Sequence, residues 1–244
     1  MNLQNPLISV IIPAYNYQSY LAEAIESVLA QTYHPTEIIV INDGSTDGTE
    51  TVAKQFVPEI RYFHQPNQGL GTTRNRGVQL AQGDFLAFLD ADDVWLADKL
   101  LQQYKLFNDD CDLDMAFGYA KQFFSPEIEQ ELKTKLTHAG EILPGYIAGT
   151  LLIKRVSFIK VGLFETDWRV GEFIDWYSKA QEQNLKCVMF PQVVMKRRIH
   201  NTNMGIRERQ HQTDYVRILK ASLDRRRQAE AHGNEIALKK KQNR

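Results

Sequence analysis

Short apolar runs rich in β-branched residues, each ending on a polar cluster, alternate along the first hundred residues with longer stretches of helical spacing. "LISVIIP" (7–13), "EIIVIND" (37–43), "IRYFHQ" (60–65) and "DFLAFLD" (84–90) predict buried strands. The stretches 20–32, 46–56 and 70–81 predict helices. In the first, Leu21, Ala24, Ile25, Val28 and Leu29 share one face. Ser45 or Thr46 can cap the second, with Asp47 favourable in its first turn. This βαβαβ order predicts an α/β fold, a mostly parallel sheet flanked by helices, in a single domain. Ligands of such sheets sit at the carboxyl ends of the strands. Three strands end there on polar groups, Tyr15 with Asn16, Asn42 with Asp43, and Asp90 with Asp92, so one convergent site is expected.

The run "FLAFLDADDVW" (85–95) places three acids within four positions. In an extended chain residues i and i+2 point the same way, about 6 to 7 Å apart, so Asp90 and Asp92 face one side with little more than a methyl group between them at Ala91. Two carboxylates so placed attract a hard divalent cation, Mn2+ or Mg2+, which accepts phosphate oxygens from a substrate. The competing reading is a solvated turn in which Asp92 or Asp93 caps a helix starting near Trp95.

The chain has 244 residues, 43% of them hydrophobic, enough for a full core. A formal net charge of −1 argues against a protein that coats nucleic acid. Cys111 and Cys187 form no disulfide framework or thiolate metal motif, which suits a reducing compartment and small core residues. The N-terminal run lacks a basic region and a cleavage site, and no stretch reaches the roughly 18 to 20 apolar residues of a spanning helix. A cytoplasmic protein, at most peripheral to a membrane, is expected.

"SVIIPAYN", "IIVINDGSTDGT", "NQGLGTTRNRG" and "FLDADD", in this order and spacing over residues 8–93, resemble the nucleotide-binding half of a family 2 inverting glycosyltransferase of the GT-A fold. The resemblance implies a nucleotide-sugar donor, usually a UDP-sugar, and inversion at the anomeric carbon. By position it lays Pro13, Tyr15 and Asn16 along the nucleoside and makes Asp43 the acid that hydrogen-bonds the base. Asn67, Gly69 and Arg74 match the loop and helix start beside the nucleotide, and Asp90, Ala91 and Asp92 match the DXD element that holds ribose, metal and diphosphate. Unaided chemistry agrees in part: a strand-end carboxylate can accept the imide N–H of uracil, although an Asx turn in "NDGST" is an alternative task for Asp43. Arg76, two positions from Arg74 on a helix, points elsewhere. The glycines at 69, 71 and 77 are followed by no GK[ST], which disfavours a P-loop.

The second half carries weaker signals. "WRVGEFIDWYSKA" (168–180) sets Glu172 and Asp175 three apart, on one face of a helix. An inverting transfer needs a carboxylate to take the acceptor's proton. This segment resembles the family's GED-type base motif, except that Phe173 stands where the acid after Glu172 is usual. Asp175, ranked slightly first, or Glu172 is then the base, unless a readily ionised acceptor such as a thiol lessens the need. Trp168 and Trp176 offer apolar faces to a sugar or to the core. His200 matches a histidine that in relatives joins Asp90 and Asp92 at the metal or contacts the diphosphate. One of Arg197 and Arg198, on opposite strand faces, can sit near the leaving group. Residues 125–148 are irregular and suit a mobile acceptor-side segment.

The expected organisation is a GT-A domain over 1–203, with a nucleotide-binding half (1–95) and an acceptor-side half (96–203), then a basic C-terminal helix and tail (204–244). That last part holds eleven Lys and Arg against five Asp and Glu, about +6, leaving about −7 for the rest. Val216, Leu219 and Leu223 give it a narrow apolar stripe, expected to pack on the domain, with a peripheral membrane contact or a homodimer as alternatives, and the end "LKKKQNR" is expected to be disordered. The partners implied are a nucleotide-sugar donor and an unidentified saccharide, lipid-linked or peptide acceptor. Competing functions are a nucleotidyltransferase, disfavoured because "PAYNYQSY" has no glycine-rich basic loop, and a catalytically inactive nucleotide-sugar-binding scaffold.

Overall fold

The structure is a computed structural model and describes residues 5–128 and 140–242. Strands β1 (Ile8–Ala14), β2 (Thr36–Asp43), β3 (Arg61–Gln65) and β4 (Phe85–Phe88) alternate with helices α1 (Leu21–Leu29), α2 (Thr49–Lys54) and α3 (Leu70–Leu80). β1 pairs in parallel with β2 and β4, and β2 with β3. Successive strands therefore step outward from β1 to β3, and β4 then returns to the other side of β1. This reversal opens a crevice at the carboxyl ends of β1 and β4, the place where open α/β sheets bind ligands.

The apolar runs are continuous because both sheet faces are covered. Ile8, Val10 and Ile12 join Ile38, Val40, Phe85 and Ala87 in one buried cluster. Ile11 lies in the opposite cluster with Ile39, Ile41, Leu86 and Phe88. Period-two alternation thus feeds two cores from the same strands. On the second face α3 comes very close to the sheet, since a Cβ on Gly77 would lie 2.3 Å from Ile11 Cγ2. Only glycine fits there.

After β5 (Val94–Trp95) and α4 (Lys99–Asp109) come β6 (Met115–Phe124), β7 (Ile142–Gly145), β8 (Leu152–Lys154), α5 (Arg155–Val161), α6 (Glu172–Glu182), β9 (Cys187–Ile199), α7 (Met204–Arg207) and α8 (Thr213–Gln242). The sheet runs β3-β2-β1-β4-β8-β6-β9-β5, with β7 on β6. β8 is antiparallel to both β4 and β6, while β6 and β9 are parallel. A parallel N-terminal half thus grades into a mixed C-terminal half within one sheet.

Several local expectations are corrected. Trp95 begins no helix: Val94 and Trp95 pair with Lys196 and Met195, and α4 starts at Lys99 after Asp98, so Asp92 and Asp93 cap nothing. α2 starts at Thr49, whose N–H donates to Asp47 Oδ1 at 3.0 Å, so neither Ser45 nor Thr46 caps it. Of the irregular 125–148 segment, 129–139 lies outside the described residues and Ile142–Gly145 is a strand on β6. Cys111 is exposed and Cys187 only partly buried, so neither is a core residue. The end expected to be disordered continues α8 as helix to Gln242.

α8 does rest on its own domain, but not through the stripe read from its sequence. Val216, Leu219 and Leu223 are exposed, whereas Asp214, Ile218 and Ser222 are buried. Arg225 Nη1 donates to Asp175 Oδ1 (3.1 Å) and its Nε to Glu182 Oε2 (2.7 Å), while Ser222 Oγ donates to Glu182 Oε1 (2.8 Å). The contact is mainly polar. Among the described residues no helix is long and apolar enough to cross a membrane.

Candidate active site

A cleft of about 280 Å³ opens at the carboxyl ends of β1, β2 and β4. Of the residues the resemblance placed beside the nucleotide, Pro13, Tyr15, Asp43, Asn67, Gly69, Asp90, Ala91 and Asp92 line it. Asn16 does not. Its Oδ1 accepts the N–H of Thr46 (2.8 Å) and its own N–H donates to Ser45 Oγ (2.9 Å), which ties the β1–α1 turn to the β2–α2 loop.

Asp43, buried at the end of β2, is the anchor of the loop before α3. Its Oδ1 accepts Gln65 Nε2 (2.7 Å) and the Gln68 N–H (2.9 Å), and its Oδ2 accepts the Gly69 N–H (2.9 Å). Asn67 Nδ2 adds a bond to the Asp43 carbonyl at 3.0 Å. The Asx turn in "NDGST" belongs instead to Asn42, whose Oδ1 accepts the Ser45 N–H at 2.8 Å. With three of roughly four lone-pair directions used, Asp43 Oδ2 keeps one acceptor direction for a ligand in the cleft.

The acidic turn after β4 is built from three acids in three environments. Asp90 remains partly exposed and accepts Arg74 Nη2 at 2.5 Å. Asp92 is buried and its Oδ2 lies 2.9 Å from His200 Nε2 and 3.2 Å from Asn203 Nδ2. Asp93 is buried with its Oδ1 accepting the Arg198 N–H at 2.8 Å. Burial, then the charges of Asp92 and Asp90, push its carboxyl well above the usual carboxylate range. Tyr17, in the same lining, is also held above the ordinary phenol range by burial and by Asp92.

β9 brings the two arginines to different work. Arg197 lines the cleft, as one cation of the pair was expected to. Arg198 is buried, donating from Nε to the Asp92 carbonyl (2.9 Å) and pairing with Glu23, with its guanidinium 5.0 Å from the Tyr20 ring and 4.6 Å from Phe123. It therefore fixes the acidic turn from behind. His200 stands beneath Asp92, its Nδ1 2.9 Å from Thr202 Oγ1 and its ring 4.6 Å from that of Tyr20.

Arg74 lies under the cleft floor. Its Nη1 donates to Glu172 and its Nη2 to Asp90, and its buried Nε has no partner among the described residues. Arg76 points away, as its spacing from Arg74 predicted, and its Nη1 donates to the His64 carbonyl at 2.9 Å. Glu172, first residue of α6, is buried and committed to Arg74. Asp175 is corrected as first choice for the base. It is buried, lies between Arg225 (3.1 Å) and Lys179 (2.9 Å), and is not among the cleft residues. Phe173 packs in an aromatic core with Phe117, Phe164, Trp176 and Tyr177. Trp176 is buried there too, whereas Trp168 lines the cleft, its Nε1 buried without a partner among the described residues. The chain also contributes Asp167, Arg169, Asn203 and Glu208 from loops and Arg207 from the end of the short α7 to the wall, none with a periodic signal.

Among the described residues no three His, Cys, Asp or Glu side chains already form a cation cage. Asp92 Oδ2 and His200 Nε2 are hydrogen-bonded to each other at 2.9 Å. A carboxylate oxygen with an imidazole nitrogen is a donor set that suits Mn2+.

The model of the glycosyl transferase family 2 matches residues 9–163. An uncharacterized glycosyltransferase of Rickettsia typhi is 36% identical over 213 residues, covering 82% of this chain and 66% of its own length, and one of Rickettsia prowazekii is 34% identical, covering 87% and 71%. Among solved structures, Staphylococcus aureus TarS in complex with UDP-GlcNAc superposes with a TM-score of 0.64 at 21% identity, covering 81% of this chain and 60% of that one. A Pyrobaculum calidifontis mannosyltransferase in complex with GDP-Man and Mn2+ gives 0.63 at 20%, covering 86% and 62%. The chain thus spans roughly two thirds of the length of these proteins and shares the fold of the GT-A enzymes among them. On the family match and on its relatives, the chain belongs to glycosyl transferase family 2.

Proposed function

We propose that the chain transfers a sugar from a nucleoside diphosphate sugar, with a UDP-sugar as first expectation, to an acceptor by direct displacement with inversion. The observation that carries this reading is the convergence in one cleft of Asp43, which anchors the loop before α3, with Asp90 and Asp92 of the acidic turn, where His200 backs Asp92 from outside the lining. Asp43 and Tyr15 suit the nucleoside, with the remaining acceptor direction of Asp43 for a base N–H. Asp92 and His200 would hold a Mn2+ or Mg2+ ion, and Asp90 is the third candidate ligand if it leaves Arg74. Such an ion supplies Lewis-acid stabilisation of the departing diphosphate. Arg197 and Arg207, both in the lining, place cationic groups where negative charge develops. TarS bound to UDP-GlcNAc and the mannosyltransferase bound to GDP-Man and Mn2+ support a nucleotide sugar in this fold.

Calorimetry with UDP and GDP, with Mn2+ or with chelator, tests the reading. UDP should bind at least tenfold more tightly with Mn2+, and Asp92→Ala should abolish that difference while leaving metal-free binding within twofold. Equal UDP affinity in both conditions would remove the metal from the proposal, and tighter GDP binding would change the donor. Release of UDP from a UDP-sugar together with a sugar-bearing product separates transfer from a binding scaffold.

A further inference from the structure

Six carboxylates line the cleft: Asp43, Asp90, Asp92, Asp93, Asp167 and Glu208. Five are engaged. Asp43 holds the loop before α3, Asp90 holds Arg74, Asp92 faces His200 and Asn203, and Asp93 accepts from the Arg198 backbone. Glu208 Oε2 lies 3.6 Å from both Arg169 Nε and His211 Nε2. Asp167 is exposed and has no hydrogen bond or ion pair among the described residues. At the start of α6, where a base is expected from sequence, Glu172 and Asp175 are buried on cations and Phe173 is core.

The loop carrying Asp167 is pinned at both ends. Asn75 holds both backbone groups of Phe164, accepting its N–H (2.9 Å) and donating to its carbonyl (2.8 Å). Arg169 N–H donates to the buried Asp214 Oδ2 at 3.0 Å. Between these anchors Asp167 is exposed and lines the cleft, next in sequence to Trp168, which lines it too. An anchored loop that holds a free carboxylate in the cleft is a place for an acceptor hydroxyl.

On the glycosyl-transfer reading above, we infer that Asp167 is the catalytic base, displaced five residues before the α6 start. The acceptor oxygen or sulfur forms the bond to the anomeric carbon as the bond from that carbon to the β-phosphate oxygen breaks. The electron pair of the broken bond leaves with the nucleoside diphosphate. The acceptor's proton passes to an Asp167 carboxylate oxygen, whose exposure lets it return the proton to water.

The test measures nucleoside diphosphate release and sugar transfer by the full chain with Mn2+. UDP-glucose, UDP-GlcNAc and GDP-mannose serve as donors, with octyl β-glucoside and dithiothreitol as hydroxyl and thiol acceptors. Asp167→Asn should lower kcat with the hydroxyl acceptor by roughly 10² to 10⁴, keep UDP affinity within twofold, and lose the acidic limb of the rate–pH profile. With the thiol the deficit should shrink as pH rises past about 8.5, where the acceptor ionises unaided. A deficit equal for both acceptors at every pH would make Asp167 a sugar-binding group and overturn its role as base. So would an Asp167→Asn variant at the wild-type rate, or an equal loss in Glu172→Gln with intact UDP binding. A wild type silent with every donor and acceptor overturns the transfer reading and this inference with it, whereas an active wild type with an unaffected variant overturns only Asp167.

Discussion

Replacing Arg74 by Met removes the cation that joins the acidic turn to α6 while keeping a side chain of similar length. The two carboxylates it leaves are unequal: the Glu172 side chain is 5% exposed and that of Asp90 40%. Removing one partner of a buried ion pair costs about 3–5 kcal/mol, because the other charge stays uncompensated, whereas a pair open to water is worth about 0–1 kcal/mol. Nearly all the loss should therefore come from Glu172, and a total of about 3–4 kcal/mol is expected. For a domain of this size that is roughly 6–16 °C in Tm. Urea denaturation of Arg74→Met, Arg74→Met/Glu172→Gln and Arg74→Met/Asp90→Asn measures it. The Gln double variant should recover most of the loss, since it neutralises the group that water cannot reach, and the Asn double variant little. A single variant within about 1 kcal/mol of wild type, or equal rescue by the two amides, would refute the reasoning.

Two further outcomes follow from buried polar groups. Asp43→Ala should destabilise the fold by about 1–3 kcal/mol, the cost of stranding a buried donor such as Gln65 Nε2, and weaken UDP binding as the 67–69 loop loosens; unchanged stability and affinity by calorimetry would leave Asp43 no anchoring task. Lys99 is buried with no carboxylate partner among the described residues, and burial holds its amine well below the ordinary 10.5. Between its lowered folded value and 10.5 the unfolded chain binds the extra proton, so this group makes stability rise with pH across that window. Lys99→Met should remove that rise in urea titrations at a series of alkaline pH values, and parallel slopes for both proteins would contradict it.

The parallel half was legible because both of its sheet faces are buried. Strands read at 7–13 and 37–43 stand at Ile8–Ala14 and Thr36–Asp43, and their polar ends meet in the cleft with the acidic turn. The second half was not, for a physical reason seen most clearly in α8. Apolar spacing selects Val216, Leu219 and Leu223, but the helix is held by Arg225 and Ser222 around a single buried Ile218, so the periodic signal marks the outer face. Asp175 misled in the same way: its spacing from Glu172 was right for a shared helix, but spacing cannot tell a cleft from a neighbouring helix. Asp167 carries no local pattern at all, because a loop pinned by Asn75 and Asp214 is defined by contacts 45 or more residues away.

The partners of the acidic turn also set the order in which the site can come into being. Asp92 and Asp93 meet Arg198, His200 and Asn203 across sequence separations of 105 to 111 residues. Closing so long a loop comes late, since its entropy must be offset by contacts that form only at closure. During synthesis, β1 to β4 leave the ribosome well before β9 does, so a nascent chain arrested ahead of Cys187 has the strands of the nucleotide side but not the Asp92–His200 pair. Completion of the acidic turn is thereby deferred until nearly the whole domain has been made.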